Sequence, residues 1–139
     1  MAKTDTTAEL RKVPLFAGLD KHELEMVSRL LKEQRYEKGA VIVKNGATGQ
    51  GLFIIKEGSV SVKRDGHTVS QMGPGDFFGE IAVLDGGPRT ADVQADTDTV
   101  CLTMVSWDIK PLLMEHATIS YKMLQQMIRR LREARPHAD

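Results

Sequence analysis

From Gly39 to Gly87 the chain is broken by a glycine every few residues, and the short runs between the breaks have the length and pattern of strands. Val41 to Lys44 and Leu52 to Lys56 are apolar, and Val60 and Val62 alternate with Ser59, Ser61 and Lys63. Thr68 to Met72, Thr90 to Ala95 and Thr99 to Val105 continue the series. Asp65-Gly66 is a two-residue hairpin signal, and Gly73-Pro74-Gly75 is a second turn. Short strands at this spacing predict an antiparallel sandwich or barrel.

Helical patterns stand on both sides. Ala8 to Lys12 is expected to form a short helix after a polar leader, and Leu15, Phe16 and Leu19 an apolar knot. Asp20 has Glu23 three residues on, the spacing of a capping box, and Leu24, Val27, Leu30 and Leu31 follow at helical period. The expected class is therefore α+β. A leader occupies 1–13 and a single domain 14–135, with a helix over 20–33, strands over 34–105, helices over 107–134, and a tail at 136–139. Pro111 makes a helix start at Asp108 easier locally than one at Ser106, because proline suits only the first turn. Further on, Leu124, Met127, Ile128 and Leu131 form one stripe, facing either the strands or a partner.

Composition excludes several classes. Acidic and basic residues balance at 19 each, so no global field attracts nucleic acid or membrane. No run is long and apolar enough to span a bilayer, and the first ten residues lack a signal-peptide core. Cys101 is alone, which rules out an internal disulfide and suits a reducing cytoplasm.

Chemistry concentrates in Phe77 to Val93, FFGEIAVLDGGPRTADV. Glu80 to Leu84 suffices for about one helical turn, whose unpaired amides suit an anion. Arg89 follows the Gly86-Gly87-Pro88 break, and its guanidinium fork matches two phosphate oxygens. Glu80 would repel a phosphate but suits a sugar hydroxyl. Anion, arginine and hydroxyl acceptor together describe a nucleotide with one phosphate and one free ribose hydroxyl. The bland readings stand beside these. Arg89 serves equally as a surface arginine, Glu80 as a first-turn carboxylate favoured by the helix dipole, Ile81 as core and Thr90 as a residue of good strand propensity.

FGEIA followed by PRTA resembles the phosphate-binding cassette of the cyclic-nucleotide-binding domain family, and the likeness extends from about Leu15 to Leu131. The family includes kinase regulatory subunits, cyclic-nucleotide-gated channels and the catabolite activator protein. The resemblance implies a jelly-roll-like β-roll, a double-stranded β-helix, flanked by N-terminal and C-terminal helices. It implies a cassette over 78–91, with ligand contacts at Phe78, Gly79, Glu80, Ile81 and Ala82, and again at Pro88, Arg89, Thr90 and Ala91. Glu80 would take the ribose 2′-hydroxyl, and Gly79, Ile81 and Ala82 would offer backbone contacts. Thr90 permits cyclic GMP without requiring it, so the implied ligand is cyclic AMP or cyclic GMP. Val62 is the candidate wall for the purine. Arg130 falls where some channels of the family cap the base from the last helix, although Arg129 and Arg132 beside it also fit a basic helix end.

No cofactor, metal or catalytic group is expected. His22, His67, His116 and His137 are scattered, and no nucleophile elbow, Walker motif or CxxC is present. The implied protein is a cytoplasmic receptor whose last helix repositions to regulate an unidentified protein effector, with a homodimer through that helix as an option. No DNA-binding module is visible, so no nucleic-acid partner is expected of this chain alone. The alternatives are a degenerate interaction module that binds no nucleotide, or the sensor piece of a catabolite-activator-type transcription regulator.

Overall fold

The computed structural model describes residues 2–46, 51–79 and 91–134. They divide into two compact units, one of residues 30–110 and one formed by the two ends, 1–29 and 111–139.

The middle unit contains eight strands among the described residues: β1 (Lys32–Tyr36), β2 (Val41–Val43), β3 (Gly51–Glu57), β4 (Val60–Arg64), β5 (His67–Met72), β6 (Phe77–Phe78), β7 (Asp92–Ala95) and β8 (Thr99–Val105). They form two four-stranded antiparallel sheets, in the orders β1-β8-β3-β6 and β2-β7-β4-β5. This is the β-roll. The β4–β5 hairpin turns at Asp65-Gly66, whose φ angles of 53° and 80° are both positive, as a type I′ turn requires. Arg64 accordingly pairs with His67.

The core of the roll takes residues from both sheets. Phe53, Ile55, Phe78 and Cys101 of one meet Val43, Val60 and Val93 of the other. Strands β3 and β8 are buried on both faces, since Leu52, Ile54, Leu102 and Met104 on the opposite side are also buried. That explains why Leu52 to Ile55 is continuously apolar instead of alternating.

The end unit contains α1 (Ala2–Arg11), a 3₁₀ turn (Pro14–Phe16), most of α2 (Lys21–Leu30), the second half of α3 (Ser106–Glu115), and α4 (Ala117–Ala134). Leu15, Phe16 and Leu19 are buried, as their apolar cluster predicts. The capping box is present: Asp20 N–H donates to Glu23 Oε1 at 2.9 Å, and Glu23 N–H to Asp20 Oδ1 at 2.8 Å.

Four boundaries differ from expectation. Helix α1 begins at Ala2 instead of Ala8, because its anchor is the buried Leu10 near its end and not a periodic stripe. Helix α2 stops at Leu30 instead of Glu33, because from Lys32 onward each residue pairs with β8. Phe77 and Phe78 form the short strand β6, where only a turn into the cassette was expected. Helix α3 starts at Ser106 and keeps Pro111 inside it. Burial of Ile109 and Leu112 contributes about 1.5–3 kcal/mol each, which offsets the roughly 3 kcal/mol that an interior proline costs. No helix among the described residues is long and apolar enough to cross a membrane.

Candidate functional site

The stretch singled out for its chemistry leaves one sheet at β6 and enters the other at β7. Glu80, Ile81, Ala82, Pro88, Arg89 and Thr90 lie outside the described residues, as does the one-turn helix expected near Glu80 to Leu84. The residues that bracket the stretch are described. Phe78 and Ala91 are buried, and Phe78 and Val93 belong to the same core cluster. Both ends of the stretch are thus rooted in the interior of the roll.

On the incoming side, Phe78 pairs with Phe53 and their rings stack, with centroids 5.0 Å apart and planes 4° from parallel. Gly79 comes next at a φ of 92°, in the left-handed region that glycine enters without a Cβ penalty. The chain therefore turns out of β6 immediately after a locked aromatic. On the outgoing side, Asp92 Oδ1 accepts the Asn45 N–H at 2.6 Å, which fixes the first residue of β7 against the end of β2.

Val62, the candidate purine wall, stands on β4 opposite Val93 and Ser70. It is half-buried and packs on the core cluster together with Met72, Ile42 and Tyr36. Arg130 is on α4, half-buried and in the end unit. The structure thus brings Phe78 and Val62 to one core, with Ala91 buried just before β7.

Two buried residues on the same face as Phe78 were not flagged by the sequence. Lys32, Thr103, Phe53 and Phe78 form one row across the first sheet, and directly paired residues share a face. Phe53 sits inside an apolar run whose two faces look alike in sequence, and Thr103 looks like any strand threonine. Thr103 is 5% exposed and its hydroxyl has no hydrogen-bond partner among the described residues, a polar spot beside Phe53. Burial pushes the Cys101 thiol up to about 12, and raises Tyr36 as well, with Cys101 adding to the effect. Both stay neutral at pH 7, so neither adds a negative charge to the core of the roll. Among the described residues, no three His, Cys, Asp or Glu side chains gather as a metal site.

The family model for the cyclic nucleotide-binding domain matches residues 33–116, a span that contains the whole stretch from Phe77 to Val93. The cyclic AMP receptor protein of Thermus thermophilus is 32% identical over 126 residues, 87% of this chain, and the chain spans 58% of that relative's length. The N-terminal domain of a transcriptional regulator from Streptomyces coelicolor A3(2) superposes with a TM-score of 0.78 at 30% identity, covering 91% of this chain and 92% of that one. The regulatory subunit of a cAMP-independent protein kinase A from Trypanosoma brucei gives a TM-score of 0.80 at 28% identity, covering 94% of this chain and 46% of that one.

Proposed function

The chain belongs to the cyclic nucleotide-binding domain family, and from that premise we propose that it is a receptor for a cyclic purine mononucleotide, cyclic AMP or cyclic GMP. The observation that carries this reading is the family match over residues 33–116, within which both the acid and the arginine of the cassette are kept, as Glu80 and Arg89. Arg89 binds the cyclic phosphate through its guanidinium fork, and Gly79, Ile81 and Ala82 contribute backbone contacts. Glu80 accepts the ribose 2′-hydroxyl. Val62 lines the purine, Phe78, Pro88 and Ala91 hold the ends of the cassette, and Thr90 admits either base. Arg130 stacks on the purine from α4, which repositions on binding and so regulates an effector. The chain acts in the cytoplasm, without catalysis.

Helix α4 also offers a surface for that effector or for a second copy. Tyr121, Leu124, Ile128 and Leu131 are 48–63% exposed and spaced 3-4-3, an a/d seam with a β-branched residue at one a position and leucine at both d positions. That pattern favours a parallel two-stranded pairing.

The Trypanosoma brucei likeness supports a second reading, because a protein described as cAMP-independent shares this fold. In that reading the cassette takes another ligand or none. Thermal melts with cyclic AMP, cyclic GMP and AMP separate the two. Ligand at a hundredfold over its Kd adds about 2.7 kcal/mol of stability. Arg89→Ala removes a charge-assisted contact of about 2–3 kcal/mol, weakening binding by well over tenfold. Equal affinity in the variant and the parent refutes the assignment.

A further inference from the structure

Glu23 and Lys122 are 99 residues apart in sequence, yet Lys122 Nζ donates to Glu23 Oε1 at 2.7 Å. Neither side chain is an ordinary surface partner. Glu23 is 10% exposed and Lys122 27%. The same Glu23 oxygen also accepts the Asp20 N–H, so one atom closes the capping box of α2 and receives the ammonium of α4. The lysine stem runs close to the backbone at Gly18, where a Cβ would lie 3.7 Å from Lys122 Cβ. Helix α4 packs on the 3₁₀ turn at Pro14–Phe16 as well. A carboxylate in the first turn of α2 is favoured by the helix dipole, and a pair this little exposed is screened by salt less than one on the surface.

We propose that the Glu23–Lys122 pair is a latch that makes α4 and the start of α2 one switching unit. A displacement of α4 withdraws the ammonium from Glu23, leaves that carboxylate without its counter-charge and with only the Asp20 amide as donor, and loosens the first turn of α2. A displacement of α2 acts on α4 by the same contact. The receptor reading enters only as the source of the force on α4; the coupling stands without it.

Amide hydrogen exchange on the full chain tests this. Glu23→Gln keeps a hydrogen-bond acceptor for the Asp20 amide and removes the charge; Lys122→Met keeps the stem and removes the ammonium. Each single variant is expected to speed exchange about fivefold in both 21–26 and 117–124, and the double variant no more than either single one. Faster exchange in 117–124 with 21–26 unchanged overturns the latch, as do single effects that multiply in the double variant. Lys122→Arg, which restores a cation, is expected to exchange within twofold of the parent, and fivefold loosening there also overturns it. With cyclic AMP added, the parent is expected to change at both segments together, and Lys122→Met at 117–124 alone. A response at 21–26 that persists in Lys122→Met overturns the latch. If cyclic AMP changes nothing while the variants still loosen both segments, the latch stands and the receptor reading falls.

Discussion

The stacked pair Phe53–Phe78 fixes how the cassette leaves the sheet, and it can be tested without any ligand. Both rings are buried, at 3% and 4% exposure, so truncating Phe78 to alanine costs about 3–5 kcal/mol and endangers a fold worth only about 5–15 kcal/mol. Leucine is the better probe. Phe78→Leu and Phe53→Leu each keep an apolar filling and lose a ring, at a cost of about 1–2 kcal/mol. The ring–ring interaction at 5.0 Å adds about 0.5–1.5 kcal/mol beyond area, and it is lost once, whichever ring is removed. A double-mutant cycle read by urea unfolding is therefore expected to show a coupling of about 1 kcal/mol. Phe77 supplies the control. It is equally buried but pairs with Ile54 and points to the other face, so Phe77→Leu should be as destabilising alone and additive with Phe53→Leu within about 0.5 kcal/mol. A one-residue slip of β6 would exchange the two faces. Coupling found at Phe77 and absent at Phe78 would refute the register and, with it, the left-handed exit at Gly79.

Further outcomes follow from other parts of the chain. Asp20→Ala removes one half of the capping box and is expected to cost about 1 kcal/mol in urea unfolding, whereas an unchanged midpoint would deny the cap an energetic role. Leu124→Lys puts a charge into the exposed seam of α4; sedimentation equilibrium is expected to show a dimer in the parent and a monomer in the variant, and a parent that stays monomeric at high micromolar concentration removes the homodimer. The Cys101 thiol is held up to about 12 in the folded chain, so above pH 9 the unfolded chain loses this proton first and stability falls as pH rises towards 12, by at most about 1.4 kcal/mol per pH unit. Cys101→Ala lacks that component, so the stability lead of the parent should shrink over the same window; a constant lead denies the shift.

What could be read in advance, and what could not, divides by the distance over which each signal acts. The capping box needs two side chains three residues apart, and the hairpin needs Asp65 and Gly66; both are in place. The end of α2 depends on β8, about 70 residues further on, and Lys32 to Arg35 are polar enough to pass for a helix tail. The start of α3 depends on where Ile109 and Leu112 are buried, which no local rule about Pro111 contains. The family is legible because FGEIA and PRTA set residue types at close spacing, while the row of Phe53 and Thr103 is assembled from strands distant in sequence.

Helix α4 makes the same point most sharply, because its apolar stripe left open whether it faced the strands or a partner. Of that stripe Leu124, Ile128 and Leu131 are exposed and Met127 is half-buried, and the less exposed side runs through Ile119, Met123 and Arg130. Lys122 belongs to that side too. A hydropathy pattern counts its charge as a solvent marker, but a lysine can bury its stem along a helix surface when its ammonium finds a carboxylate, and Glu23 is that carboxylate. The helix therefore carries an ion-paired lysine beside its buried Ile119 and an apolar seam outward. Helix α4 is therefore held by the buried Ile119, by packing on the Pro14–Phe16 turn and by the ion pair at Lys122, while its exposed apolar seam stays available for a further contact.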